Sequence, residues 1–106
     1  MSRRSICRAI ETRTVLLVTY HGEKREVEPH IFGQSSAGNP LLSGWQRSGE
    51  APGWRNFVVS EIEALERTVI RFKRPRDGYN PDDPSFGSIA CRLVSGRRRK
   101  RSGAGS

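Results

Sequence analysis

The side chains in this chain that can do chemistry sit on short, strand-like runs. The stretch "REVEPHIFGQSSAGNPLLSGWQ", Arg25 to Gln46, carries Arg25, Glu26, Glu28, His30, Trp45 and Gln46 on two runs flanking a Gly/Asn/Ser turn, and "WRNFVVS" adds Arg55 downstream. An arginine directly after a turn presents a planar fork that grips phosphate or carboxylate through paired hydrogen bonds. Arg25 therefore either holds an anion or closes a cross-strand salt bridge. Arg55 alternates onto the side of Phe57 and Val59, which should face a core, so its guanidinium needs a rim position or a purpose. Trp45 is either a core plug beside Leu41 or a platform for a base, since single-strand binders pair aromatic faces with a basic groove. Tyr20 ends an apolar run, where a phenol packs its ring and wets its hydroxyl. His30 can respond to pH or meet phosphate, although alternation predicts an exposed strand position for it.

Catalysis has less to build on. There is no Ser/His/Asp order, HExxH, phosphate loop or nucleotide fingerprint. Asp82 and Asp83, beside Pro81 and Pro84, suit turns. Cys7 and Cys91 are the only cysteines and lack zinc-ligand spacing. Two distant cysteines in a cytosolic chain read as small buried hydrophobes. The expectation is a non-catalytic protein with no cofactor or metal.

The charge is unevenly placed. The formal net charge is +8, from 19 basic and 11 acidic residues. Arg97, Arg98, Arg99, Lys100 and Arg101 account for five of the positive charges, and without them the remainder carries only +3. A basic run followed by SGAGS cannot bury itself, so 97–106 reads as a disordered arm. Such an arm suits polyanions, because each neutralised phosphate releases counterions; the alternative is a solubilising tail. No run approaches the ~18 apolar residues of a membrane span, and "MSRRSICRAI" lacks the apolar stretch of a signal peptide. A cytoplasmic protein without membrane partners is expected.

One domain over 1–96 must position these side chains. Ser5 can cap a short helix with Ile6, Ala9 and Ile10 on one face. "TVLLVTY", Thr14 to Tyr20, fits a strand buried on both sides. In the hairpin, Val27 and Ile31 should share the core face with Leu41, leaving Glu26, Glu28 and His30 opposite. Pro29 donates no backbone hydrogen bond and marks an edge or a bulge, and Gly44 marks a sharp bend. Ser60 with Glu63 forms a capping box, so "EIEALE" reads as a helical turn before the strand "TVIRF". "KRPRDGYNPDDPSFG" is an irregular loop, which Tyr79 and Phe86 should staple down, and "SIACRLV" a last strand. Five or six short strands after a leading helix predict a mainly β fold, a small barrel with its edges hidden by closure.

The order of motifs resembles the WYL domain, a family of SH3/Sm-like barrels usually appended to bacterial helix-turn-helix regulators. Tyr20, Gly22, Arg25, Val27, Glu28 and Pro29 carry the resemblance, supported by Trp54, Arg55, Phe57 and Ile62, and it spans about Ala9 to Leu65. The family's Trp-Tyr-Leu triplet falls on Pro40, Leu41 and Leu42, so only the leucine is kept. The resemblance implies ligand sensing, including nucleotides and single-stranded nucleic acid, in transcription regulation or defence. It puts Tyr20, Arg25, His30, Trp45 and Arg55 on the candidate face. A protein-interaction or small-effector subunit acting on a partner protein remains the alternative, since fold alone does not separate the two.

Overall fold

The computed structural model describes residues 2–49 and 51–94, so the basic run at 97–101 lies outside the described residues. A helix, α1 (Arg3–Glu11), precedes strands β1 (Thr14–Tyr20), β2 (Glu23–Ser35), β3 (Pro40–Gln46) and β4 (Gly53–Val58). A 3-10 turn (Val59–Glu61) then leads into β5 (Ile62–Arg71), and β6 (Phe86–Arg92) closes the described chain. The six strands form one antiparallel sheet in the order β4-β3-β2-β1-β5, with β6 also paired to β2. No helix among the described residues is long and apolar enough to cross a membrane.

β2 organises the sheet. Its first half pairs with β1 (Leu16 opposite Val27, Tyr20 opposite Glu23) and its second half with β6 (Phe32 opposite Cys91), while β3 runs along the other edge. The change of partner from β1 to β6 coincides with a register shift between Pro29 and Ile31. Proline has no amide hydrogen to give a ladder, and an inserted residue at that point satisfies the geometry as a bulge. Gly44 stands opposite Pro29 because nothing larger fits: a Cβ there would lie 2.5 Å from the Glu28 carbonyl oxygen. The close approach, not a left-handed backbone, explains this glycine.

The bulge inverts the side-chain alternation beyond it. Val27 and Phe32 face the core, whereas Glu28 and Ile31 face away from it, so Val27 and Ile31 do not share a face as alternation alone predicted. On β3 it is Leu42, not Leu41, that joins the core, in a row with Phe32 and Phe57 across three strands. Burying each of these side chains is worth about 2 kcal/mol. Ile6, Ala9 and Ile10 of α1 cover this row, on the face the spacing predicted. The cap is Ser2, whose hydroxyl accepts the Ser5 amide at 3.2 Å, and not Ser5 itself.

Two further expectations are corrected. "EIEALE" is not a helical turn: after the three-residue 3-10 turn, Ile62 to Arg71 form one strand against β1. A single turn of helix is marginal alone, and the ladder that completes the free edge of β1 outweighs the local capping signal. The barrel is also not closed, since β4 and β5 do not pair. Side-chain bonds serve at that corner, where the Tyr20 hydroxyl accepts the Val58 amide at 3.2 Å and donates to Glu61 at 3.3 Å.

The cysteines are not two separate buried hydrophobes. Cys7 on α1 and Cys91 on β6 form a disulfide, with Cα atoms 5.7 Å apart at a sequence separation of 84. Spacing that long carries no pairing signal; only the docking of α1 against β6 brings the thiols together. Closing so large a loop restricts the unfolded chain, a stabilisation of about 4.5 kcal/mol on the chain-entropy model. Urea unfolding with and without a dithiol reductant should show that loss as a lower midpoint. An unchanged midpoint would mean the bridge constrains nothing.

Candidate anion-binding site and the opposite face

The hairpin turn between β1 and β2 places the first group. His21 and Gly22 both have positive φ, 50° and 80°, as a two-residue reversal between twisted strands demands. The turn delivers Arg25 to one end of the core face, with Lys24 next to it on the strand. Arg25 lies opposite Val18 and its guanidinium carbon sits 5.5 Å from the centroid of the Tyr20 ring, capping the core there. One terminal nitrogen donates to the Tyr20 carbonyl at 3.1 Å and lies 3.0 Å from Glu23; the other donates to Gln46 at 3.4 Å. The Nε–H is buried and has no hydrogen-bond partner among the described residues.

Arg55 arrives from β4 on the Phe57 side, as its alternation predicted. Its guanidinium donates to the Trp54 carbonyl at 2.9 Å and to the Ala51 carbonyl. Lys24, Arg25 and Arg55, with Glu23, Gln46, Gly49 and Ala51, line a cavity of about 340 Å³. Its walls bring three cations and one carboxylate. That volume falls in the range of small-molecule sites, and its donors suit an anion with several oxygens.

Tyr20 lies beside this site without lining it. The ring is in the core and the hydroxyl is committed to Val58 and Glu61. His30 and Trp45 are on the opposite face of the sheet, so the five barrel residues expected on one surface divide between two. Arg97, Arg98, Arg99, Lys100 and Arg101 lie outside the described residues.

On that opposite face the sheet presents Glu28, Trp45 and Trp54 as a row across β2, β3 and β4, and the loop after β5 covers it. The Glu28 side chain is 3% exposed and receives both arms of the Arg76 fork, at 2.8 and 2.9 Å. These hydrogen bonds raise the Arg76 pKa above its ordinary value. The same guanidinium lies 5.2 Å from the centroid of Trp45, whose own edge contact is Trp54 at 5.7 Å. Trp45 is therefore neither a plug of the main core nor a bare platform: Arg76 occupies its face.

His30 is not an exposed strand histidine. It is fully buried, because it is the residue inserted at the bulge and the loop closes over it. Trp54, Tyr79 and Phe72 surround its ring at centroid distances of 4.8, 5.1 and 5.5 Å. Burial, the largest cause, lowers its pKa below 6.5 despite the nearby Glu28. Tyr79 donates its hydroxyl to the Leu93 carbonyl at 2.7 Å, and burial pushes its pKa up to about 12. Tyr79 staples the loop as expected, and Asp83 and Asn80 cap local turns within it.

No family model, curated protein or solved structure matches this chain. The geometry has to carry the functional reading. Gln46 was noted on the hairpin but not placed on the candidate face, and Lys24 was missed altogether, although it lies beside the turn that drew attention to Arg25. Arg76 gave no signal, since its partner Glu28 is 48 residues away.

Replacing Arg76 by Ala leaves the buried Glu28 carboxylate with only Arg47, at 3.7 Å. Breaking a fully buried pair costs ~3–5 kcal/mol; with Arg76 partly exposed and Arg47 remaining, a loss of about 2 kcal/mol is expected. Arg76→Lys should recover part of it, because an ammonium cannot reproduce the two-armed contact. Thermal unfolding of the two variants measures both, and equal stability with the parent would show that the pair contributes nothing.

Proposed function

We propose that the chain is a non-catalytic binding module for a phosphate-bearing ligand, a nucleotide or single-stranded nucleic acid, acting in bacterial regulation or defence. The observation that carries this reading is the convergence of Lys24, Arg25 and Arg55 on one cavity, with a buried Arg25 N–H lacking a partner among the described residues. The planar forks of two arginines match phosphate oxygens, and the lysine adds a point charge. The WYL resemblance, with its SH3/Sm-like architecture, leads to the same ligand class from the sequence side, through Tyr20, Gly22, Arg25, Val27, Glu28 and Pro29.

The proposed setting is the cytoplasm. Thiols are held reduced there, so the module must work with Cys7 and Cys91 open as well as bridged. The basic run at 97–101 adds affinity for longer strands without adding sequence preference, because contacts to phosphate carry no base information.

Fluorescence anisotropy with a labelled 20-nucleotide single strand, and competition by a free nucleotide, test this. Arg25→Gln and Arg55→Gln should each weaken binding of both ligands about tenfold, the equivalent of ~1.4 kcal/mol. A chain ending at Gly96 should keep the nucleotide site but lower the log–log salt slope for the strand by about 3.5. Binding of both ligands that is indifferent to Arg25 and Arg55 would remove the cavity from the mechanism.

A further inference from the structure

Residues 73–85 cross the face of the sheet opposite α1, and the contacts that hold them down meet at one imidazole. The Arg76 amide donates to His30 Nε2 at 3.2 Å, so this nitrogen is an acceptor and carries no proton. The other ring nitrogen, Nδ1, lies 2.8 Å from the Glu28 carbonyl oxygen and can only donate to it. Both partners thus select one neutral tautomer, with the proton on Nδ1. We propose that residues 73–85 are an acid-released strap, closed only while His30 is neutral.

A second proton would have to sit on Nε2, where the Arg76 N–H already points. The hydrogen bond would be replaced by two opposed N–H groups in a site with no exposure to solvent. Several groups face the ring. From β2 the Glu28 carboxylate favours the charged form, and from the strap the Arg76 guanidinium opposes it. Asp77 follows Arg76 in the strap, and the Tyr79 phenol stays neutral up to about 12. Trp54 and Phe72 contribute only apolar rings. Arg92 of β6 holds the strap farther along, at Pro81 and Asp82. Burial outweighs Glu28, so the closed form resists protonation.

The direction in pH follows. Above 6.5 the imidazole is neutral whether the strap is closed or released, and the closed form keeps its full advantage. As pH falls below 6.5 the released form takes up the proton first, and the advantage shrinks until the closed form's own, lower pKa is passed. Release would uncover Trp45 and Trp54 and dismantle the cavity of about 420 Å³ whose walls include residues 73–77. None of this involves Arg25 or Arg55, so it stands or falls apart from the anion site.

The only two tryptophans lie in contact with the strap, through Arg76 and Asp77, which makes intrinsic fluorescence a local reporter. Lowering the pH from 7.5 to 5 should shift the emission to the red with a midpoint below 6.5, while far-UV circular dichroism stays constant. His30→Gln should abolish that transition. Nitrogen-resolved NMR of the unaltered protein at pH 7.5 should find the Nδ1–H tautomer of His30, a result that does not depend on the variant folding. Emission that is flat across the range, a matching loss of circular dichroism, an unaltered transition in His30→Gln, or the Nε2–H tautomer would each overturn the proposal.

Discussion

A carboxylate cannot be taken out of water alone, and Glu28 is almost wholly out of water. Isolated in a low-dielectric interior it would neutralise or drag the fold apart; paired through two charge-assisted hydrogen bonds it is tolerated. Much of the outer face follows from meeting that demand. Arg76 has to reach Glu28, so the loop after β5 lies down on the sheet, and its backbone then finds His30 and Trp54 as hydrogen-bond partners. The pair itself need not stabilise much in net terms, since desolvating both ions offsets the attraction. Its effect is positional: it specifies where an irregular segment with three prolines comes to rest.

The bulge at Pro29–Ile31 supplies the other half of that arrangement, and it is where sequence reasoning was both informative and misleading. Pro29 was legible as an interruption because a missing amide hydrogen is a local fact. The consequence for every later residue was not. A one-residue insertion reverses which side each later side chain takes, so Ile31 ended on a side that simple alternation did not assign to it, while His30 kept the expected side but is buried there under the loop. Helix α1, β1 and the β1–β2 turn were readable for the opposite reason: their patterns are local and nothing later in the chain contradicts them. The second part of β5 was read as the strand "TVIRF", but its first part, from Ile62, was missed because the capping signal was local while the decisive interaction, the ladder with β1, lies about fifty residues away. The disulfide was invisible on the same grounds.

The candidate site divides along this line too. Arg25 and Arg55 were grouped by the resemblance, with strand alternation placing Arg55 on the Phe57 side, and both line one cavity. His30 and Trp45 were grouped with them on the same resemblance, which did not account for the strap. A side chain's availability to a ligand depends on what else in the chain competes for it, and Arg76 competes for Trp45 and Glu28 alike.

These two outcomes bear on how a chain with an apolar fraction of only 34% covers both faces of a sheet. One face uses ordinary apolar packing under α1. The other is lined by an aromatic and ionic layer of His30, Trp45, Trp54, Tyr79, Glu28 and Arg76, in which hydrogen bonds and ring contacts substitute for aliphatic volume. A layer of that kind is specified by directional contacts, so it responds to a single proton in a way an aliphatic core does not. With one face under the helix and the other under the strap, the cationic end beside the β1–β2 turn opens to solvent at the cavity lined by Arg25 and Arg55. An anion seated there would touch Arg25, which rests on Tyr20, whose hydroxyl joins β4 to the following turn. Ligand binding and the cohesion of that corner would then draw on the same side chains, and occupancy should stiffen the corner where the sheet fails to close.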